Sequence, residues 1–332
     1  MRAPVGEDVT MPPMVPAPLR EHPLFDAGPP GWFTLVTMDV QGLQTNQMSA
    51  RARPRVVVLQ QVACEPLGTL EPIFQRSFEL VVLEAFSDPV AYHHAVQDLL
   101  KDYAAGGPAS FEGLVALGGP MSVNDHAEVE GLDDSLRLLQ IAVHADIPIL
   151  GICLGAQLLA WTLGAQVRAG VVTGRRKEIG WFPVELTERG RVDPAFRGFD
   201  AGEPVFHWHG DTFDLPEDGR LLASSRMYPH QAFRWGRWAY GVQFHVEVTP
   251  TLVEEWTRYY ADELAALDYV DAAALVAEAP ARARSMEAKA RVLAERFVEC
   301  VQEYAREKHE GLGAGLGLDS GSGPGDTPGA IR

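Results

Sequence analysis

Between residues 55 and 152 the chain alternates two hydrophobic rhythms. Short continuous apolar runs occur at RVVVLQ (55–60), ELVVLE (79–84), GLVAL (113–117) and 147–152. They have the length and β-branched content of buried strands. Between them lie stretches with apolar residues at helical spacing, over 68–77, 88–105 and 132–146. Buried strands alternating with helices predict a doubly wound, mostly parallel α/β sheet covered by helices on both faces. Beyond Gly164 the rhythm shortens, and strands are expected at 181–186, 204–208, 220–224, 231–235 and 238–245 as a small antiparallel extension. Thr249 and Pro250 form an N-cap and first-turn pair that opens a helix to about residue 262. A further helical segment spans roughly 271–308, rich in Ala, Arg and Glu.

The two ends read differently. Residues 1–54 are Pro-rich and predict a disordered tail, and Met48 stands just ahead of the first strand in the position of an alternative start. Residues 311–332, with GLGAGLGLDSGSGPGDTPGA, read as a Gly-rich tail. The expected organisation is therefore a tail over 1–54, an α/β domain over 55–262, a helical extension over 263–310 and a tail over 311–332.

Hydrophobic residues make up 46 % of the 332, which is enough for a sizeable core. The net charge of −17 repels phosphate backbones, so nucleic acid is not an expected partner. No run is long enough to cross a bilayer, so no membrane partner is expected, and no signal peptide is visible. Cys64, Cys153 and Cys300 are scattered and odd in number, which fits a reducing, cytoplasmic setting.

Candidate chemistry begins in GICLGAQLLA, residues 151–160. Cys153 sits between Gly151 and Gly155, where a strand pattern gives way to a helix pattern. A thiolate at a helix N-terminus is favoured by the helix dipole, so this strand–turn–helix reads as a nucleophile elbow. Cys64 and Cys300 lack such a setting and read as structural. In YGVQFHVEV, residues 240–248, His245 and Glu247 are two apart and share a strand face with Gln243. A carboxylate there fixes the imidazole and leaves its other nitrogen free to work on a thiol. In ALGGPMSVND, residues 116–125, a strand ends in two glycines, a turn that exposes backbone N–H groups suited to an oxyanion. His207 and His209 of FHWHGD would share a strand face, but their spacing offers no third ligand. They read as a loop lining the pocket, with no metal assigned. His93 and His94 read as solvated helix residues, and GRRKE (174–178) as a solvated charged loop.

GICLGAQ, GVQFHVE and LGGPMSVND together resemble the class I (triad) glutamine amidotransferase family, most closely its free-standing members similar to the amidotransferase domain of GMP synthase. KEIGWFPVEL, FHWHGDTFDLP, LLASS and HQAFRWG add to that likeness, which covers about residues 55–260. The resemblance implies the doubly wound fold of that family. It assigns Cys153 as nucleophile, His245 as base and acid, and Glu247 as the residue orienting it. It also implies an oxyanion hole from the backbone N–H groups of Gly119 and Leu154, and contacts from Gly118 and Gln157 to a bound γ-glutamyl group. No cofactor and no metal are implied. The implied partners are glutamine or another γ-glutamyl small molecule, and a separate synthetase subunit. Two positions depart from the family pattern: Val246 stands where proline is usual between the His and Glu, and Gln61 where a histidine often follows the first strand.

The implied activity is cleavage of a γ-glutamyl amide through a thioester. The chain shows neither an SGGxDS-like loop nor a P-loop, so a complete GMP synthase is not expected. An ammonia-supplying glutaminase and an independent γ-glutamyl hydrolase remain open. A catalytically idle scaffold is the alternative from another class, and its signature, a missing triad member, is not seen. The composition of the ends generates one prediction. A shortened chain spanning 48–311 should fold and keep its activity, and a sharp fall in Tm on truncation would mean that a tail docks on the body.

Overall fold

In the computed structural model, residues 53–315 are described, apart from 106, 200, 201 and 203. The tail expected over 1–54 lies outside them except for 53 and 54, and the tail expected over 311–332 is corrected at its start, since 311–315 are helical. The main sheet has eight strands. In chain order these are β1 (Arg55–Gln60), β2 (Glu79–Glu84), β3 (Gly113–Ala116), β4 (Ile149–Ile152), β7 (Glu185–Leu186), β10 (Arg220–Ser224), β11 (Ala232–Trp235) and β12 (Ala239–Val242). Their spatial order is β2-β1-β3-β4-β12-β11-β10-β7. The first five positions pair in parallel, and the last three strands add antiparallel. Two antiparallel pairs stand apart: β5 (Val167–Ala169) with β9 (Asp211–Phe213), and β6 (Glu178–Pro183) with β8 (Pro204–His209). This is the mostly parallel α/β fold with a small antiparallel extension that the hydrophobic pattern predicts.

The period of two in β1 decides which helices cover which face. Val56 and Val58 enter a core with Phe74 of α1 (Glu71–Ser77), Trp256 of α6 (Pro250–Tyr259) and Phe297 of α8 (Ala272–Gly315). Val57 and Leu59 enter the opposite core, with Val96 of α2 (Pro89–Ala104), Leu139 of α3 (Leu132–His144) and Leu158 of α4 (Leu154–Thr162). The C-terminal helix is thus part of the first core: Met286, Leu293 and Val301 are buried there beside the sheet. Thr249 caps α6 as its sequence suggests, its side chain accepting the Leu252 N–H. That helix ends at Tyr259, and α7 (Ala261–Ala265) follows as a separate turn.

Two strand expectations are corrected. The run 181–186 breaks at Val184, and its halves join different sheets, β6 with β8 and β7 with β10. The run 238–245 leaves the sheet after Val242. Its next ladder contact is a single bridge from His245 to Phe206 of β8.

The two glycines of the elbow serve close approach. A Cβ on Gly155 would lie 1.9 Å from the Ala116 carbonyl oxygen of β3, and one on Gly151 would lie 2.5 Å from the Gly155 oxygen. The first turn of α4 can rest on the sheet only without those atoms. Gly155→Ala should therefore destabilise the fold by about 3 kcal/mol or more, because the obstacle is backbone and cannot rotate away. A urea-unfolding midpoint within a few tenths molar of the parent would refute this packing account.

Candidate active site

Three strand ends meet at one point. In the register of the central strands, β4 lies between β3 and β12, with Gly151 opposite both Ala116 and Gly241. The segments that leave these strands at their carboxyl ends begin with Leu117, Cys153 and Gln243. Ligands of open α/β sheets bind at this edge.

Cys153 is the turn itself. It has φ 51° and ψ −109°, a conformation that side chains other than glycine rarely adopt. Its N–H is held by the Val242 carbonyl at 2.8 Å, and its carbonyl accepts from the Ala156 and Gln157 N–H groups, which starts α4. Strain of this kind costs on the order of 1–3 kcal/mol and is typical of functional turns. The thiol is 5 % exposed. It donates to the Trp208 carbonyl at 3.7 Å, and the Gln243 Nε2 donates to it at 3.6 Å.

His245 and Glu247 are buried beside it, with Nδ1 to Oε1 at 2.5 Å. Although their segment is no longer regular strand, the alternation persists. Phe244, Val246 and Val248 enter the apolar core, and Val246 is fully buried in the place where proline was expected. The His245 N–H is fixed by the Phe206 carbonyl at 2.8 Å, and its ring packs edge-on against Trp256. Burial opposes charge on His245, but the Glu247 carboxylate and the neighbouring Cys153 together hold its pKa well above the ordinary imidazole value. Burial pushes the Cys153 thiol up; His245 pulls it down, while the carboxylates of Glu65 and Glu247 push it further up.

Around the expected oxyanion position, a Cβ on Gly119 would lie 3.2 Å from Leu154 Cδ2 and from Gln61 Cβ, so the Gly118–Gly119 turn lies against the start of α4. Gln157 is buried on α4, donating to Gln243 Oε1 at 3.2 Å and to the Asp211 carbonyl at 3.4 Å. It is tied to the same Gln243 that touches the thiol.

Sequence reasoning missed Glu65. The segment after β1 folds over the glycine turn, and Glu65 is 6 % exposed there. Tyr260 donates to its Oε1 at 2.7 Å, while Oε2 has no hydrogen-bond partner among the described residues. That oxygen would lie 2.0 Å from a Cβ on Gly118, so the Glu65 carboxylate lies directly against the glycine turn. Burial raises the Glu65 pKa, opposed by His245 and by the Tyr260 hydrogen bond. The available signal was one carboxylate inside an otherwise apolar loop, VACEPLG.

The other candidates separate. His207 and His209 are buried on β8 and meet Glu178, which is 3 % exposed. The charged run GRRKE is therefore not wholly a solvated loop: its last residue begins β6 and points inward. Burial drives His207 down to about 3 despite Glu178 beside it. Cys300 lies in the core, where burial pushes its thiol up to about 11, and Cys64 is half-buried against Tyr260. His93 is exposed on α2 but paired with Asp134 at 2.8 Å.

The family model for glutamine amidotransferase class-I matches residues 80–263. The chain belongs to the class-I glutamine amidotransferase family. It is 37 % identical over 158 residues to the glutamine amidotransferase-like protein YfeJ of Salmonella typhimurium, covering 47 % of this chain and 64 % of that one. It is 34 % identical over 146 residues to the glutamine-hydrolyzing GMP synthase of Shewanella sediminis, covering 42 % of this chain and 26 % of that one. The chain thus spans less than two thirds of the length of these relatives. A solved glutamine amidotransferase from Thermotoga maritima superimposes with TM-score 0.62 at 32 % identity, covering 75 % of this chain and all of that one. The family membership accords with the site: a strained cysteine elbow beside a buried His–Glu pair at the carboxyl edge of the sheet.

The charges around the thiol generate a prediction. Glu65→Gln removes a negative neighbour, so the thiolate becomes less costly and the Cys153 pKa should fall. Above the pH at which Glu65 ionises, the variant should be alkylated faster by iodoacetamide, with the midpoint of its rate–pH profile moved down. An unmoved midpoint, read by mass spectrometry at Cys153, would show that Glu65 does not act on the thiol.

Proposed function

We propose that this protein hydrolyses the γ-amide of glutamine or of a related γ-glutamyl amide or peptide through a thioester on Cys153. The observation that carries the reading is a positive-φ cysteine at the head of α4 that interacts with His245, which is itself bound to Glu247 at 2.5 Å. In the proposed cycle the Cys153 sulfur attacks the γ-carbonyl as His245 takes the thiol proton. The oxyanion is received by the Gly119 and Leu154 N–H groups, each such donor being worth ~3 kcal/mol in the transition state. His245, with Glu247 holding its other nitrogen, returns the proton to the departing amine. Water then enters, gives its proton to His245 and releases glutamate, restoring the thiol. Gly118 and Gln157 are proposed to contact the glutamyl group. Each step uses side chains and backbone of this chain, and no cofactor is invoked.

In one reading the substrate is a free γ-glutamyl compound hydrolysed by this chain alone. Similarity to GMP synthases supports a second reading, in which ammonia passes to a separate synthetase subunit. Ammonia release from glutamine, set against turnover of a γ-glutamyl peptide panel, separates the two. Cys153→Ala should abolish turnover on every substrate while leaving circular dichroism unchanged, and near-normal activity would sink the mechanism. A diazo-ketone glutamine analogue should label the wild-type chain once, at Cys153. Labelling at Cys64 or Cys300 instead would show that the elbow is not a γ-glutamyl site.

A further inference from the structure

Behind the proposed active site, on the opposite face of β8, lies a second buried cluster. Glu178 and His209 face each other in the β6–β8 register, with Gly180 opposite His207. His207, His209 and Glu178 are 0 %, 5 % and 3 % exposed. Their inward atoms converge: Glu178 Oε2 lies 3.3 Å from His207 Nδ1 and 3.2 Å from His209 Nε2, and all three atoms lie within 4.8 Å of one another.

The protons at this cluster do not balance. The outer nitrogen of His207, Nε2, faces the Phe182 carbonyl at 3.2 Å, and the outer nitrogen of His209, Nδ1, faces the Asp211 carbonyl at 3.0 Å. Carbonyl oxygens only accept, so both outer nitrogens must carry the N–H. A neutral imidazole has only one. Both inner nitrogens are then lone pairs aimed at a carboxylate oxygen, itself an acceptor. His207 Nδ1 accordingly has no hydrogen-bond partner among the described residues. Gln231 relieves part of the conflict, its Nε2 donating to Glu178 Oε2 at 2.7 Å and standing 3.5 Å from His209 Nε2. Ser225 donates to Glu178 Oε1 at 2.9 Å. Nothing among the described residues donates to His207 Nδ1.

We propose that Glu178 Oε2, His207 Nδ1 and His209 Nε2 bind a divalent cation of the zinc class. A positive centre between three electron pairs satisfies all of them at once. Ligand bonds of zinc length in a tetrahedron set ligand–ligand separations of about 3.3 Å, close to the two contacts that meet at Glu178. Histidines that bind metals commonly give their other N–H to a backbone carbonyl, as both do here. The Gln231 amide supplies the fourth donor when its oxygen turns inward, and that oxygen has no partner in its present orientation. A closed, fully buried donor set of this kind makes a structural rather than a catalytic site. The competing arrangement fills the same gaps with protons. It needs buried imidazolium against a single carboxylate, which desolvation opposes.

The test uses the full-length Cys153→Ser chain, so that zinc on the catalytic thiol does not confuse the count. After metal stripping and exposure to Zn2+ with removal of excess, elemental analysis should find about one equivalent per chain. Zn2+ should raise Tm by about 5 °C or more. Glu178→Gln and His209→Gln, if folded by circular dichroism, should lose both effects. Trace zinc with no Tm shift would overturn the proposal, as would full binding retained in folded variants. Should the variants not fold, Co2+ decides on the Cys153→Ser chain alone. A tetrahedral visible spectrum without thiolate charge transfer supports the site; an octahedral spectrum, a sulfur band or no binding overturns it.

Discussion

The structure depends on the way β4 is wedged between β3 and β12. Parallel pairing on both sides brings three chain segments to the same edge at the same height, because Gly151 is in register with Ala116 and with Gly241. Cys153 then hangs from the Val242 carbonyl by its own N–H and must turn at once into α4, whose first turn presses onto β3 with room for no side chain at Gly155. The unfavourable backbone of Cys153 is held by these constraints rather than by any preference of its own. Its strain of order 1–3 kcal/mol is small against the burial of two complete cores, one on each sheet face.

Much of this was legible in the linear pattern. β1 and β2 fall at 55–60 and 79–84 as their apolar runs indicate; β1, inside the sheet and buried along most of its length, has only one kind of neighbour, whereas β2 is the edge strand and its Val82 is exposed. Cys153, His245 and Glu247 were legible for different reasons: Cys153 sits where a strand pattern gives way to a helix pattern, and His245 and Glu247 are paired by a spacing of two in an alternating segment. The illegible parts are those whose partner is distant. The strand expected through His245 stops at Val242, because its next partner is Phe206 in another sheet. Glu178 hides in a charged run, and only the pairing of β6 with β8 turns it toward two histidines some thirty residues away. Glu65 is held by Tyr260, nearly two hundred residues later. Side chains positioned by tertiary contacts leave no periodic trace, which is why the polar surroundings of the site were read less well than its centre.

Burial gives the site its electrostatic character. Cys153, Glu65, His245 and Glu247 are all almost inaccessible, so their charges act on one another with little screening by water. Two carboxylates flank one imidazole and one thiol. Burial first, and the two carboxylates after it, disfavour the thiolate, with His245 pulling the other way; Glu247 and Cys153 raise the His245 pKa against its own burial. Glu65 and Glu247 both oppose ionisation of the Cys153 thiol, and a bound group that donates hydrogen bonds or carries positive charge would offset them.

β8 joins this site to the cluster behind it. Its alternation sends Phe206 and Trp208 to the core beside Cys153 and His245, and His207 and His209 to the other side, toward Glu178. The backbone of the strand serves both. The Phe206 carbonyl holds the His245 N–H, and the Trp208 carbonyl receives the Cys153 thiol. A strand whose polar side were loosely satisfied would let those two carbonyls wander, and reacting groups tolerate displacements of only about 0.5 Å. The side chains of His207 and His209 point to the far side of β8, yet the carbonyls next to them in sequence fix where the His245 backbone and the Cys153 thiol stand.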